Sequence, residues 1–139
     1  MEQKDYILRE IEKMAAILGA IRQKLFGGSD NLSLTVEKQA EDTKEMLLIE
    51  ADFDLDKFMM SDTAEGNAYI SGLKGFNVEN LEVLAECVAQ IGFNCNSGLS
   101  GVYFEKALQL YEYCNDKSKT FSSEREEKIE AIKNLCHKK

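Results

Sequence analysis

Six apolar residues, Ile7, Ile11, Met14, Leu18, Ile21 and Leu25, recur at intervals of 4, 3, 4, 3 and 4 within the stretch from Asp5 to Phe26. Only a period near 3.5 keeps all six side chains on one face, so the stretch predicts a long helix and excludes a strand. Leu8, Ala15 and Ile17 flank this seam and widen it. A face of that breadth has to be buried, either against the rest of the chain or against a second subunit.

What the rest of the chain supplies is also helical in character. It holds no proline, the strongest helix breaker, so helices run long and turns rely on Gly, Ser, Asn and Asp. With 139 residues, 44% of them hydrophobic and 30% charged, the chain fits one domain spanning 1–139 with a well-solvated surface. The expected class is all-α, with five or six helices packed in antiparallel pairs.

Charge narrows the range of partners. The net charge is −8, concentrated in residues 29–80, which carry twelve acidic and four basic groups. That segment repels phosphate backbones, and no basic stripe with interleaved aromatics compensates elsewhere, which argues against nucleic acid. The charged start Met1-Glu2-Gln3-Lys4-Asp5 does not read as a signal peptide, and the uncharged run from Met14 to Ile21 is too short to span a bilayer. The expectation is a soluble cytoplasmic protein with no membrane association. In that setting Cys87, Cys95, Cys114 and Cys136, which contain no Cys-x-x-Cys, are read as reduced, with Cys87 and Cys114 in the core.

In chain order, Gly27-Gly28 ends the first helix and Ser29 to Ser33 forms a polar loop. Thr35 caps a second helix running to about Ala51, with Val36, Ala40, Met46 and Leu47 facing inward and Glu37, Glu41, Asp42 and Glu45 outward. Leu55, Phe58 and Met59 suggest a short helix, Ser61 to Asn67 a loop, and Ala68 to Leu73 one further turn before Gly75. Asn77 caps a helix over 78–91, Gly92 to Gly101 is a ten-residue connection, and Tyr103 to Cys114 is helical again. Ser122 or Ser123 caps the last helix, Ser123 with Glu126 having the spacing of a capping box.

Leu81, Leu84, Ala85 and Val88, followed by Ala107, Tyr111 and Cys114, place large and small residues as two closely packed antiparallel helices require. Residues 81–119 thereby resemble one tetratricopeptide-type unit, with a longer connection and Lys119 where that repeat closes on proline. The ends of the chain, DYILREIEKM at 5–14 and KSKTFSSEREEKI at 117–129, resemble an uncharacterised bacterial family of small all-helical proteins. The resemblance implies a helical cytoplasmic protein and brings no activity with it.

Asp52, Asp54 and Asp56 start like a calcium loop, but Lys57 stands where its glycine and Thr63 where its glutamate belong, so an acidic turn and helix cap is expected. His137 is the one histidine and adjoins Cys136 about 100° round the same helix, too poorly placed for a nucleophile pair or a metal site. Gly72-x-x-Gly75 and Gly98-x-x-Gly101 are read as turns, and Glu124, Arg125, Glu126, Glu127, Lys128, Glu130 and Lys133 as a solvated helix face.

No catalytic residue, cofactor or metal is expected. The functional expectation is a non-catalytic, homodimeric protein-interaction or scaffold module that docks through Ile7, Ile11, Met14, Leu18, Ile21 and Leu25. With Ile7, Met14 and Ile21 at d positions, the seam edges are Leu8, Ala15 and Arg22 on one side and Glu10, Ile17 and Lys24 on the other. Apolar edges suit a helix with two or more neighbours better than a two-stranded coil. The alternative is a ligand-binding or enzymatic domain with a pocket between helices 78–91 and 103–114, lined by Tyr103, Tyr111, Tyr113 and Cys114.

Overall fold

A computed structural model describes residues 2–26, 36–73, 75–94, 100–119 and 122–137. These form seven helices and no strand: α1 (Glu2–Phe26), α2 (Val36–Ala51), α3 (Leu55–Met60), α4 (Thr63–Ser71), α5 (Val78–Asn94), α6 (Ser100–Ser118) and α7 (Ser123–His137). The all-α class holds. The Gly27-Gly28 stop, the Ser29–Ser33 loop, the Thr35 cap, Lys74 and Cys95 lie outside the described residues, as do the side chains of Leu25, Val36, Ala40, Cys136 and His137.

The centre of the fold is the α5–α6 hairpin. Leu81, Leu84, Ala85, Val88, Ala107, Tyr111 and Cys114 are each no more than 1% exposed. A Cβ on Gly92 would lie 2.7 Å from the Tyr103 Cβ, so the two helices touch near the connection through a position only glycine fits. At the far end the Cys114 thiol donates to the Val78 carbonyl at 3.6 Å, which makes the pair antiparallel. The connection expected over Gly92 to Gly101 is shortened at both ends, because α5 runs on to Asn94 and α6 already begins at Ser100. Gly101 is accordingly helical and not part of a turn.

α1 packs on α5 and α7 packs on α6, and both run in the direction of α5. α1 meets α5 where Asn80 reaches Ile11, and again where Arg22 lies 3.5 Å from Glu86. Arg125 of α7 bonds Glu82 of α5 at 2.9 Å and Lys128 bonds Glu86 at 2.6 Å. Glu86 therefore joins α1, α5 and α7. Arg125 also donates to Asn115 at 2.7 Å and is only 5% exposed, so the expected solvated face of α7 is instead an interhelical tie at this position. Ser122, not Ser123, caps α7, accepting from the Arg125 backbone N–H at 3.2 Å, which leaves Glu126 one position beyond a capping box.

Between α2 and α5 the chain makes its sharpest turns. Asp52 ends α2 in a left-handed conformation with a φ of 54°, and the Phe53 N–H reaches back to the Leu47 carbonyl at 3.0 Å. Asp54 caps α3 by accepting from the Lys57 N–H at 3.1 Å, and Asp56 pairs with Lys44 at 3.1 Å. Residues 63–67, expected as loop, are helical because Asp62 and Glu65 form a reciprocal capping box. Phe53, fully buried, gathers Phe58, Tyr69 and Phe76 at centroid distances of 5.6, 5.6 and 6.0 Å. This aromatic cluster packs α3 and α4 together with the segment that leads into α5.

Candidate functional site

The seam on α1 is divided in two. Met14, Leu18 and Ile21 are buried, at 7%, 0% and 0% exposure, whereas Ile7 at the same helical register is 54% exposed. Tyr6 and Leu8 beside it are 50% and 51% exposed, and Ile11 at the boundary is half-buried. Ile17 packs on the core edge, while Ala15 on the opposite edge stays exposed.

The division follows from where α5 begins. Asn77 accepts from the Asn80 backbone N–H at 2.9 Å and starts the helix there. The buried Asn80 side chain then donates to the carbonyls of Ile11, at 3.0 Å, and Gly75, at 2.7 Å. Gly75 has a φ of 85°, and a Cβ on it would sit 2.9 Å from the Glu10 carbonyl oxygen, so the backbone here presses directly on α1. α1 residues preceding this contact extend past the end of α5. Tyr6, Ile7 and Ile11 with Leu73 and Phe76 consequently line an open apolar groove of about 290 Å³.

Comparison with protein-family models, with curated proteins and with solved structures found no match to this chain.

Side chains with chemical potential are engaged inside the fold. Burial pushes the Cys87 and Cys114 thiols up to about 12, with Glu86 and Glu82 respectively adding to the shift, so both stay protonated and poorly nucleophilic at neutral pH. Burial likewise pushes the Tyr111 hydroxyl well above its ordinary value. Tyr103, Tyr111 and Cys114 are 6%, 1% and 0% exposed, packed between α5 and α6, with Tyr113 half-buried beside them. The cavity that does reach Tyr111 lies between α5 and α7, against Phe104, Ile132 and Leu135, and measures about 230 Å³. Among the described residues no group of three or more His, Cys, Asp or Glu is arranged to hold a metal ion, and no helix is long and apolar enough to cross a membrane.

Among the buried polar residues that the sequence did not reveal, Lys106 and Arg125 carry charge. Lys106, 8% exposed, donates to the Ser61 carbonyl at 2.6 Å and to Gln109 at 3.2 Å, and its ammonium stands 4.9 Å over the Phe58 ring. Gln109 in turn donates to the Thr63 carbonyl at 3.1 Å and to Asn67 at 3.0 Å, tying α6 to the α3–α4 junction. Burial pulls the Lys106 ammonium below the ordinary lysine value. The available signal was spacing: Tyr103, Lys106 and Leu110 occupy one stripe at i, i+3 and i+7, a core position for a lysine. Arg125 in α7 carries the same signal, four residues before Ile129 on its buried face.

Proposed function

We propose that this chain is a cytoplasmic protein-interaction or scaffold module without a catalytic centre, which docks through the amino-terminal end of α1 and forms a homodimer. One observation carries the reading: a single helical stripe is buried from Met14 to Ile21 and uncovered at Ile7, with Leu8 and Tyr6 exposed alongside. Adjacent exposed apolar residues beside a groove mark an interaction surface more often than a stray side chain does. Around this end, Arg9, Glu12 and Lys13 are exposed and Glu10 is half-buried, so both charge signs occur within two turns. A second copy meets no one-sided field there, unlike the acidic segment 29–80.

Half-burying three large apolar side chains on each of two subunits contributes about 1 kcal/mol per side chain, a gross gain of about 6 kcal/mol. Association costs at least about 4 kcal/mol, so contacts of Leu73 and Phe76 have to add to the gain, and the dimer is micromolar or weaker. The repeat-like part of the reading is supported by α1, α5 and α7 lying in the same direction with α6 antiparallel between the last two in sequence. The ligand-binding alternative ranks second, because the α5–α7 cavity of about 230 Å³ falls below the range of about 300–1,000 Å³ usual for small-molecule sites. The oligomeric state of the wild type against an Ile7→Glu variant, measured in solution, tests the proposal.

A further inference from the structure

Asp42, Glu45, Met46 and Ile49 fall at i, i+3, i+4 and i+7 on the outer side of α2 and so form one stripe about 11 Å long. With Glu50 and with Lys24 from the carboxy-terminal part of α1, they line a groove of about 440 Å³ between the two helices. Met46 is half-buried at its floor, and Ile49 on its wall is 71% exposed. Asp42, Glu45 and Glu50 make no ion pair with another described residue, whereas neighbouring Glu41 is paired with Lys44 at 3.6 Å. Among the described residues three carboxylates and one ammonium line the groove beside Met46 and Ile49, and that ammonium lies 4.0 Å from the Met46 sulfur.

We propose that this groove docks a basic, amphipathic helical segment of a partner protein. Charge selects the occupant. A surplus of carboxylates around an apolar anchor favours lysine- or arginine-bearing segments and repels acidic ones, anionic lipid surfaces and nucleic acid. Shape selects a helix, since a helix laid along two packed helices inserts its own i, i+3 and i+4 apolar residues between them. Met46 and Ile49 receive those residues, while Asp42, Glu45 and Glu50 meet the cationic flank. Lys24 opposes the incoming charge, so its removal strengthens binding. The site is separate from the α1 end and shares with the preceding proposal only that the chain binds proteins.

The test is fluorescence anisotropy on the full chain with a labelled synthetic helix bearing Leu on one face and Lys on the other. Two controls accompany it: the same peptide with Glu for each Lys, and a Lys peptide of identical composition in scrambled order. The basic amphipathic peptide is expected to bind at least tenfold more tightly than either control and to weaken as salt rises. Ile49→Ser and the double variant Glu45→Gln/Glu50→Gln each lose about tenfold, Lys24→Ala gains, and Ile7→Glu changes nothing. Equal binding of all three peptides, or binding unchanged in both groove variants with unaltered circular dichroism, overturns the proposal. Self-association that Ile49→Ser abolishes assigns the groove to a second copy instead, and overturns it too.

Discussion

The Asn80 side-chain amide donates to the Ile11 carbonyl at 3.0 Å and marks the point on α1 where the apolar seam passes from buried to exposed. Asn80 is 3% exposed and its second bond, to Gly75, is 2.7 Å. Replacing it with leucine keeps the volume but strips two carbonyls of their donor. We predict a loss of about 1–3 kcal/mol in urea denaturation, and a larger loss for Asn80→Asp, which turns a donor into a charge facing two carbonyl oxygens. A leucine variant as stable as wild type would show that the contact does not set the α1–α5 register.

Two glycines give opposite expectations for the same substitution. Gly75→Ala meets both a φ of 85° and the Glu10 carbonyl at 2.9 Å, and is expected to destabilise by about 1–3 kcal/mol. Gly19 lies in α1 with nothing within 4 Å of an added Cβ, so Gly19→Ala is expected to stabilise by about 0.5–1 kcal/mol through helix propensity. Thermal melts of the two variants read the difference directly.

Arg125 and Lys128 both bridge α7 to α5, yet they are not equivalent. Arg125 is 5% exposed and bonded to Glu82 and Asn115, so Arg125→Ala leaves both groups without their donor and is expected to cost about 2–4 kcal/mol. The Lys128 side chain is 44% exposed, and Lys128→Ala is expected to change stability by about 0.5 kcal/mol or less despite its 2.6 Å bond to Glu86. Equal effects in chemical denaturation would contradict this ranking.

Alkaline pH should weaken the fold through Cys87 and Cys114. Their native values of about 12 lie above the ordinary thiol value of 9.0, so between those limits the unfolded chain releases protons that the native one retains. Stability from these groups is therefore present below pH 9 and is lost as pH rises toward 12. A Cys87→Ala/Cys114→Ala variant is expected to show a shallower alkaline decline in denaturation midpoint. At pH 8 iodoacetamide should leave both residues unlabelled in native protein, as read by mass spectrometry, and modify them in denaturant.

Periodicity made most of the fold legible. The α1 seam, the Leu81–Val88 stripe with its Asn77 cap, and the Ala107, Tyr111, Cys114 set all repeat at helical spacing, and the structure buries the last two sets completely. The start of α4, residues 63–67, went unread although Asp62 and Glu65 have capping-box spacing, because Gly66 and Asn67 behind them lower helix propensity, whereas its end was expected from Ala68 to Leu73. Tertiary contacts override that penalty: Asn67 and Thr63 accept from Gln109, and Gly66 allows the close approach of α6. Arg125 was expected on a solvated face and Lys106 passed unremarked, because their partners Glu82, Asn115 and Ser61 come from other segments of the chain. The exposure of Ile7 depends on where α5 begins relative to α1, a relation between distant segments that no local pattern encodes.

Light scattering on purified wild type, from low to high micromolar concentration, beside an Ile7→Glu/Leu8→Glu variant tests the docking role of α1 most directly. Both substituted positions are already half-exposed, so the variant should keep the wild-type circular dichroism and melting behaviour. The account predicts a wild type that shifts toward the dimer mass with concentration and a variant that remains a folded monomer throughout. A wild type that stays monomeric across the range, or a variant that dimerises as well as the wild type, would contradict it.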